Sequence, residues 1–451
     1  MAERVAFKPK AGWSFNWMPA CHDIYPGFRW IAVRRNMPSQ DAFKVTNDEL
    51  RMRQWGQGHM RVYAGKNYAV PEALREYVIW RDRDLRSDQP YVMVNAHDAP
   101  NKETSPKHKL RMRFQERGHK VFQDSGGFQI ISGVKSFVDP VGVAHAHSRY
   151  ANEGVGLDIP MASVTNVKLT VAAARVQVHN NGIIRKHLKP GVKLIEVSHG
   201  VSADSRKAYL DVLLGETQLD GLCIAGLRPS LGVFKPSLKE QALQILLVYL
   251  LLGKRTTRIH ALGVSTYSSL ILLSAAAKVL GWQLTADSAR HILAGAGGLT
   301  LSDRLASVHG YEDESSRGKR EHTARVFPNK ICSCAICAAV ELNFPYRDSQ
   351  FLQTHAYISL SRAHAKADED SSNYLSGVSI PYHPHMQEAI DILKTERDLK
   401  TVMTMLKEES RLQRKGAGSQ LFTVGPEKAL AAKITAAVRN YEQHYKKEFL
   451  K

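Results

Sequence analysis

The sequence predicts an α/β fold: a (β/α)8 barrel of the TIM type, followed by a small cysteine-containing subdomain and a helical carboxy-terminal extension. Short apolar runs that end in Gly- or Asp-bearing turns alternate with helix-like segments between residues 121 and 289. At least six such units occur without a dinucleotide-binding glycine motif, which favours a closed barrel over an open, doubly wound sheet. Two amphipathic segments at the end of the chain predict the helical extension.

The predicted elements follow one another along the chain. The strand ends are KVFQDSGG, VGLDIP, KLIEVSHG, LDGLCIAGL, IHALGV and WQLTADS. Helices are predicted between them, among them Ser205–Leu214 and Leu238–Leu252. The latter overlaps ALQILLVYLLLG, which is too short to span a bilayer and therefore predicts a buried helix. Two further helices are predicted over Met386–Leu412 and Pro426–Lys447.

The last predicted helix has one apolar face, which we expect to pack on the barrel. Its members are Leu430, Ile434, Val438, Tyr441 and Tyr445. The whole chain then divides into four segments. These are residues 1–118, the first part of the barrel with a basic segment; 119–310, the barrel core; 311–370, a charged loop and the cysteine-containing subdomain; and 371–451, the helical extension.

The charge balance favours a polyanionic partner. The chain has 62 Lys and Arg against 43 Asp and Glu, a net charge of +19. Nucleic acid is favoured over a membrane, because no basic amphipathic helix dominates. Residues 50–68 and 108–120 interleave basic and aromatic side chains, which suits either phosphate contact with base stacking or an ordinary solvated helix. The absence of a secretory signal and the small number of cysteines predict a cytoplasmic protein.

Three cysteines crowd into one short motif, CSCAIC. The thiolates of Cys332, Cys334 and Cys337 can reach a single ion, and Cys3His is a standard closed set of zinc ligands. The fourth ligand is predicted to be His355, with His364 as the alternative; a helix through both would separate them by about two and a half turns. We expect one structural zinc per chain.

Polar residues at the carboxyl ends of barrel strands line the active sites of such folds. This rule selects Asp124, Asp158, His199, Gly226 and Asp287. Three carboxylates at one barrel mouth suggest glycosidic chemistry, in which one acts as nucleophile and another as acid/base. An ordinary tight strand–helix turn is the alternative reading of QDSGGFQ.

The motifs also resemble a known family, the queuine/archaeosine tRNA-guanine transglycosylases. DSGGFQ, LDIP, IEVSHGVSADSR, LDGLCIAGL, IHALGV, TADSA and C-x-C-x-x-C…H occur in the family's order and cover about residues 121–360. The resemblance implies a (β/α)8 barrel with a zinc subdomain. It also implies a reaction in which guanine in a polynucleotide is exchanged for a 7-deazaguanine base through a covalent Asp–C1′ intermediate.

The resemblance implies roles for individual residues. Asp287 would be the nucleophile and Asp124 the general acid/base. Asp158 would hydrogen-bond the amidine edge of the base, and Gly226 would offer its backbone to the carbonyl of the base. The remaining predicted substrate-binding residues are Ser125, Gly126, Ser198 and His199.

The sequence departs from the tRNA enzymes where base and polynucleotide are recognised. Ser198 replaces a glutamine, His199 and Ala225 replace glycines, and SARHILAGAGG follows Asp287 in place of the stretch that reads the anticodon loop. These departures favour the branch that inserts a deazaguanine into DNA, often for restriction evasion; such a protein, if encoded by a phage, would act in the host cytoplasm. A tRNA enzyme and a zinc-stabilised, non-catalytic nucleic-acid-binding protein are the alternatives. A homodimer is left open, and no membrane partner is expected.

Overall fold

A computed structural model describes residues 7–19, 91–96, 112, 115, 120–161, 164–227, 236–264, 266–288, 299–301, 307–310, 349–378, 385–416 and 424–449. The chain divides into two compact units. The first contains Met1–Met18, Pro90–Asp287 and Ala367–Lys451, and the second contains Pro19–Gln89 and Ser288–Lys366. The four segments inferred from the sequence are a finer division and stay a prediction.

An eight-stranded sheet is the centre of the first unit. The strands are β1 (Ser14–Pro19), β2 (Tyr91–Asn95), β3 (Lys120–Asp124), β4 (Glu153–Val155), β5 (Lys193–Ser198), β6 (Gly221–Ile224), β7 (Arg258–Ala261) and β8 (Gln283–Ser288). Their order in the sheet is β1-β8-β7-β6-β5-β4-β3-β2, and each successive pair from β2 to β8 is parallel. The predicted α/β class and parallel sheet are therefore confirmed, with β3 to β8 matching the six predicted strand ends.

The sheet is curled, as contacts across its inner face demonstrate. Neighbouring strands lie about 4.8 Å apart, so on a flat sheet β3 and β7 would be separated by about 19 Å. The ring centroids of Phe122 in β3 and His260 in β7 are nevertheless only 4.5 Å apart. The guanidinium of Arg258 in β7 lies 5.1 Å from the ring centroid of Tyr91 in β2. The strands therefore wrap around a common interior, as in a barrel.

Helices follow the strands and cover the outer face of the sheet. Those of the barrel region are α1 (Phe128–Ile131), α2 (Pro140–Tyr150), α3 (Val167–His187), α4 (Ala203–Glu216), α5 (Leu238–Leu252) and α6 (Tyr267–Leu280). Polar side chains cap several amino termini: Asn166, Ser202, Ser237 and Thr266 each accept a hydrogen bond from a backbone N–H of the first turn. Each such cap stabilises its helix by about 1 kcal/mol.

The helix that contains the long apolar run of the sequence is buried, as predicted. Helix α5 has the predicted bounds. Eight successive residues, from Glu240 to Leu247, are buried. Among the described residues, no helix has both the length and the apolar character needed to cross a membrane.

Four helices follow in the carboxy-terminal part of the chain. They are α7 (Ser349–Leu375), α8 (Met386–Thr395), α9 (Leu399–Gly416) and α10 (Val424–Phe449). The single helix predicted over Met386–Leu412 is wrong in one respect, because the chain is interrupted between α8 and α9. The carboxylate of Asp398 accepts a hydrogen bond from the backbone N–H of Thr401, 2.7 Å away, and so begins a new helix.

Helix α10 packs through the predicted apolar face. All five predicted residues are buried and belong to the same hydrophobic cluster as side chains of α1, α2 and α3. The hydroxyl of Tyr441 donates to the carbonyl of Val138 at 2.9 Å and accepts from its N–H at 3.2 Å. The helix therefore fixes the segment between α1 and α2, which follows the loop after β3.

The described part of the second unit is small. It contains the antiparallel pair β9 (Leu299–Leu301) and β10 (Ser307–Gly310), together with the residues of α7 up to Lys366.

We predict that Tyr441→Phe destabilises the protein by about 1–3 kcal/mol, because both buried backbone groups of Val138 lose their partner. Chemical denaturation measures the change. Gln443→Ala, on the exposed side of the same helix, is the matched control. Equal unfolding midpoints for Tyr441→Phe and the parent protein would contradict the proposed anchoring.

Candidate active site

The carboxyl ends of the strands carry the polar residues that the sequence selects. Asp124 is the last residue of β3 and Asp287 is the last but one of β8, while His199 directly follows β5. Asp158 and Gly226 lie three and two residues beyond the ends of β4 and β6. Because all these strands are parallel and the sheet is curled, these residues share one rim of its interior.

Asp124 is an acid of this rim whose pKa is strongly raised. Burial, followed by the charges of Asp158 and Asp287, raises its pKa from 3.8 to about 7, although the backbone N–H groups of Gly126 and Ser125 act in the opposite direction. The amide of Asn95, at the end of β2, donates to Oδ2 of Asp124 over 3.3 Å. At neutral pH this carboxyl group therefore exists in both protonation states, as a group that gives and takes a proton requires.

The loop after Asp124 requires glycine at two positions, Gly126 and Gly127, for different structural reasons. Gly126 has φ of 86°, a left-handed conformation that glycine adopts without strain. A Cβ on Gly127 would lie 2.6 Å from both the carbonyl oxygen and Oδ1 of Asp158, so only glycine lets this loop pass so close. Ser125 precedes these two glycines in the sequence. Its hydroxyl is buried and has no hydrogen-bond partner among the described residues. The loop thus brings a polar side chain and glycine backbone against Asp158.

Asp158 is paired with His199. Nε2 of His199 lies 2.6 Å from Oδ2 of Asp158, and both side chains are buried. The imidazole also packs edge-on against the ring of Tyr209. His199 therefore restricts one carboxylate oxygen of Asp158, while Oδ1 faces the loop at Gly127.

A buried arginine supports the loops after β5 and β6. Arg206 donates to the carbonyl and hydroxyl of Ser198 at 3.2 and 3.3 Å, and to the carbonyl of Ala225 at 2.6 Å. Burial lowers the pKa of its guanidinium to about 9. Side chains alternate along β5, and Ser198 therefore lies on the helix-facing side. Its hydroxyl supports the loop instead of lining the interior.

Gly226 lies directly beside this arginine. It has φ of 79°, and a Cβ there would come within 3.3 Å of Nη2 of Arg206. The turn after β6 therefore needs glycine, and its backbone is held close to the rim.

Asp287 is held through a single oxygen. Oδ1 accepts a hydrogen bond from the backbone N–H of Gly263 at 2.6 Å and lies 3.2 Å from Nε2 of His260. Gly263 follows β7, the neighbour of β8 in the sheet. Among the described residues, Oδ2 of Asp287 has no hydrogen bond, which leaves it available to react.

Sequence analysis gave no role to Asn95, Arg206 or His260, although Arg206 and His260 lie in the motifs IEVSHGVSADSR and IHALGV. The first and third were detectable in principle, because each is a polar residue on the inner side of a short apolar strand, in YVMVN and RIHA. Arg206 is the last residue of its motif and lies in helix α4, and the motif alone does not show that its guanidinium is buried.

The predicted zinc ligands can be placed only in part. Cys332, Cys334 and Cys337 lie outside the described residues. His355 and His364 both lie in α7, about 13.5 Å apart along its axis, so one ion cannot bind both. Within the described ranges, no group of three or more His, Cys, Asp or Glu side chains is placed to hold a metal ion.

The rim combines a titrating acid, a second carboxylate with one free oxygen, and a His-paired carboxylate beside glycine backbone. Such a set can protonate a leaving group, attack an electrophilic carbon and bind an amidine edge. Neither models of known protein families nor curated proteins give a match to this chain. Its function is therefore inferred from the site and from the motifs that form it.

We predict that Asp124→Asn stabilises the protein at pH 8 but not at pH 4. As pH rises from about 4 to 7, the unfolded chain releases a proton that the folded protein retains at Asp124, so the free energy of unfolding falls. Because the pKa is raised from 3.8 to about 7, the free energy of unfolding of the variant can exceed that of the parent by at most about 4 kcal/mol. Thermal unfolding across this pH range measures it.

The control is Asp211→Asn, which removes an exposed carboxylate from α4. The stability of Asp124→Asn relative to the parent should depend on pH. If it does not, the pKa of the Asp124 carboxyl group is not raised by its surroundings.

Proposed function

We propose that this protein is a guanine transglycosylase that exchanges guanine for a 7-deazaguanine base in a polynucleotide, namely DNA. The observation that carries the proposal is the meeting of Asp124 and Asp287 at one rim of the curled sheet, close enough for Asp287 to raise the pKa of Asp124. The resemblance of the strand-end motifs to the tRNA-guanine transglycosylases supports the same reaction.

The reaction proceeds by two displacements. Oδ2 of Asp287 attacks C1′ of the target nucleoside, and the bond from C1′ to the base nitrogen breaks, with its electron pair leaving on guanine. Asp124 protonates the departing base. Asp124 then takes a proton from the incoming 7-deazaguanine, whose nitrogen attacks C1′ and releases Asp287. The two inversions together retain the β configuration, and the pKa of about 7 suits Asp124 to both proton transfers.

The surrounding residues bind the base. Asp158 accepts hydrogen bonds from the amidine edge of guanine, since a carboxylate is an acceptor-only group. The buried hydroxyl of Ser125 gains a partner when a base fills the rim. The backbone at Gly126 and Gly226, which carries no side chain, would approach the base without side-chain interference. His199 supports Asp158 where the tRNA enzymes have glycine.

The polynucleotide is proposed from charge and from the departures in sequence. A net charge of +19 suits a phosphate backbone, whereas it would serve no purpose on a small nucleoside. The target base leaves its stack to reach a rim of this kind. DNA is favoured over tRNA because the stretch after Asp287 lacks the residues with which the tRNA enzymes read an anticodon loop.

The closed barrel and the zinc belong to the same proposal. The described strands end with β1 on one side and β2 on the other, and pairing between these two would close a (β/α)8 barrel. Cys332, Cys334, Cys337 and His355 would hold one structural zinc, which would tie the segment before α7 to that helix.

We predict that the parent protein forms a denaturation-resistant adduct with guanine-containing DNA and that Asp287→Ala abolishes it, because the carboxylate that attacks C1′ is gone. Asp287→Asn, which keeps the size of the side chain, should also fail. Denaturing gel electrophoresis detects the adduct. An adduct that persists in both variants would overturn the assignment of the nucleophile.

A base-exchange assay decides whether the polynucleotide is DNA or tRNA. Duplex DNA and tRNA, each offered with radiolabelled guanine, distinguish the DNA enzyme from the tRNA enzyme by which of them takes up label. Salt-sensitive binding to both without uptake of label would support the non-catalytic binding protein instead.

We predict one zinc per chain by metal analysis. Cys334→Ser should lose the ion together with a large part of the thermal stability, because a structural zinc site contributes directly to folding. Cys21→Ser, at a cysteine outside the cluster, is the matched control. Full zinc stoichiometry in Cys334→Ser would remove the metal assignment.

A further inference from the structure

A continuous chain of polar contacts runs through the interior of the sheet to Asp287. Glu153 in β4 forms an ion pair with Arg258 in β7: Oε2 accepts from Nε at 2.9 Å and from Nη2 at 2.6 Å, and Oε1 accepts from Nε at 3.2 Å. Nη1 of Arg258 donates to the hydroxyl of Thr285 in β8 over 2.8 Å. That hydroxyl lies 2.8 Å from Nδ1 of His260, whose Nε2 faces Oδ1 of Asp287 at 3.2 Å.

All of these groups except the outer end of Asp287 are withdrawn from solvent. Glu153, Arg258, His260 and Thr285 are buried, and the imidazole of His260 packs on the ring of Phe122. Without water to supply alternative partners, each hydrogen bond in the chain depends on its neighbours.

The contacts define the protonation of His260. The charged groups that face it are Asp287, Arg258 and Glu153; burial lowers its pKa, and the hydrogen bond to Asp287 opposes that effect. A neutral imidazole has one N–H, and only a proton on Nε2 gives Asp287 a donor. Nδ1 is then an acceptor, which fits the hydroxyl of Thr285 because that hydroxyl already accepts from Arg258 and can donate its own proton.

The other neutral tautomer fits less well. A proton on Nδ1 would leave the Nε2 lone pair facing Oδ1 of Asp287, which is also bound by the N–H of Gly263. Two acceptors would then lie 3.2 Å apart. Repulsion between them would turn the carboxylate away from its present position.

We propose that His260 is a positioning residue, held as the neutral Nε2–H tautomer by Thr285 and, behind it, by the Arg258–Glu153 pair. Together with the N–H of Gly263, His260 fixes Oδ1 of Asp287 and so directs Oδ2 to the reacting carbon. The role in attack on C1′ depends on the proposed transglycosylase activity. The tautomer and its dependence on Thr285 do not.

The orientation has a chemical purpose. Oδ1 receives two donors from β7 and its loop, so the carboxylate can rotate only by breaking both. A neutral donor holds it without the full charge of an imidazolium, which would draw electron density away from the attacking oxygen. Small errors in the placement of a reacting group can cost about 100-fold in rate.

The first experiment is independent of substrate. Nitrogen NMR of the full-length protein labelled in its histidine rings reports the tautomer of His260, assigned by the resonances lost in His260→Phe. We expect a neutral Nε2–H imidazole at pH 7 in the parent and a loss of this single tautomer in Thr285→Val. Thr170→Val, at a buried threonine in α3 that hydrogen-bonds elsewhere, should leave it unchanged. An Nδ1–H tautomer or an imidazolium in the parent would overturn the proposal.

The second experiment measures adduct formation with guanine-containing DNA. We expect His260→Phe to slow it about 10- to 100-fold with an unchanged Kd for the DNA, His260→Asn to recover part of the rate through its amide donor, and Thr285→Val to lie between them. An equal loss in His260→Phe and His260→Asn, or a loss of DNA affinity in both, would overturn the positioning role.

The two proposals fail in different ways. If the parent protein forms no adduct with DNA or tRNA, the transglycosylase is wrong, and the NMR result still decides the hydrogen-bonded chain. If the parent forms an adduct but its His260 is the Nδ1–H tautomer, the activity stands and the positioning chain is wrong.

Discussion

The ion pair between Glu153 and Arg258 is the interaction on which the interior of this fold depends. It joins β4 to β7 across the inner face of the sheet, and the guanidinium also stacks near the rings of Tyr91 and Phe122. A buried ion pair gains little over an apolar core of equal volume, but loss of one partner leaves an uncompensated charge and costs about 3–5 kcal/mol. Loss of either partner would therefore damage the interior far more than replacement of both by apolar residues.

The same pair connects the fold to the site. Arg258 has donors beyond those that Glu153 uses, and one of them reaches Thr285 in the neighbouring strand. From there the contacts continue through His260 to Asp287 at the rim. The geometry of the proposed nucleophile is thus set by residues deep inside the sheet, and the charged interior has a purpose that an all-apolar barrel core would lack.

The rim concentrates negative charge at some cost to stability. Asp124, Asp158 and Asp287 lie near one another, and burial together with the two neighbouring charges holds the pKa of Asp124 at about 7. Backbone N–H groups and the amide of Asn95 compensate in part. Sites that perform proton transfer at neutral pH commonly keep such unfavourable arrangements. The same burial and charge repulsion that cost stability bring the pKa of the acid close to the working pH.

Local periodicity and turn residues are sufficient to predict the α/β class, the six strand ends from β3 to β8, the buried helix α5 and the apolar face of α10. The sequence also identified the three acids as candidates, since the ends of parallel strands share one edge. Three contacts are visible only in the folded chain: Ser198 supports a loop, His199 pairs with Asp158 and His260 holds Asp287. Those contacts join residues that are distant in the chain, and they follow from how the sheet curls, which no local pattern encodes.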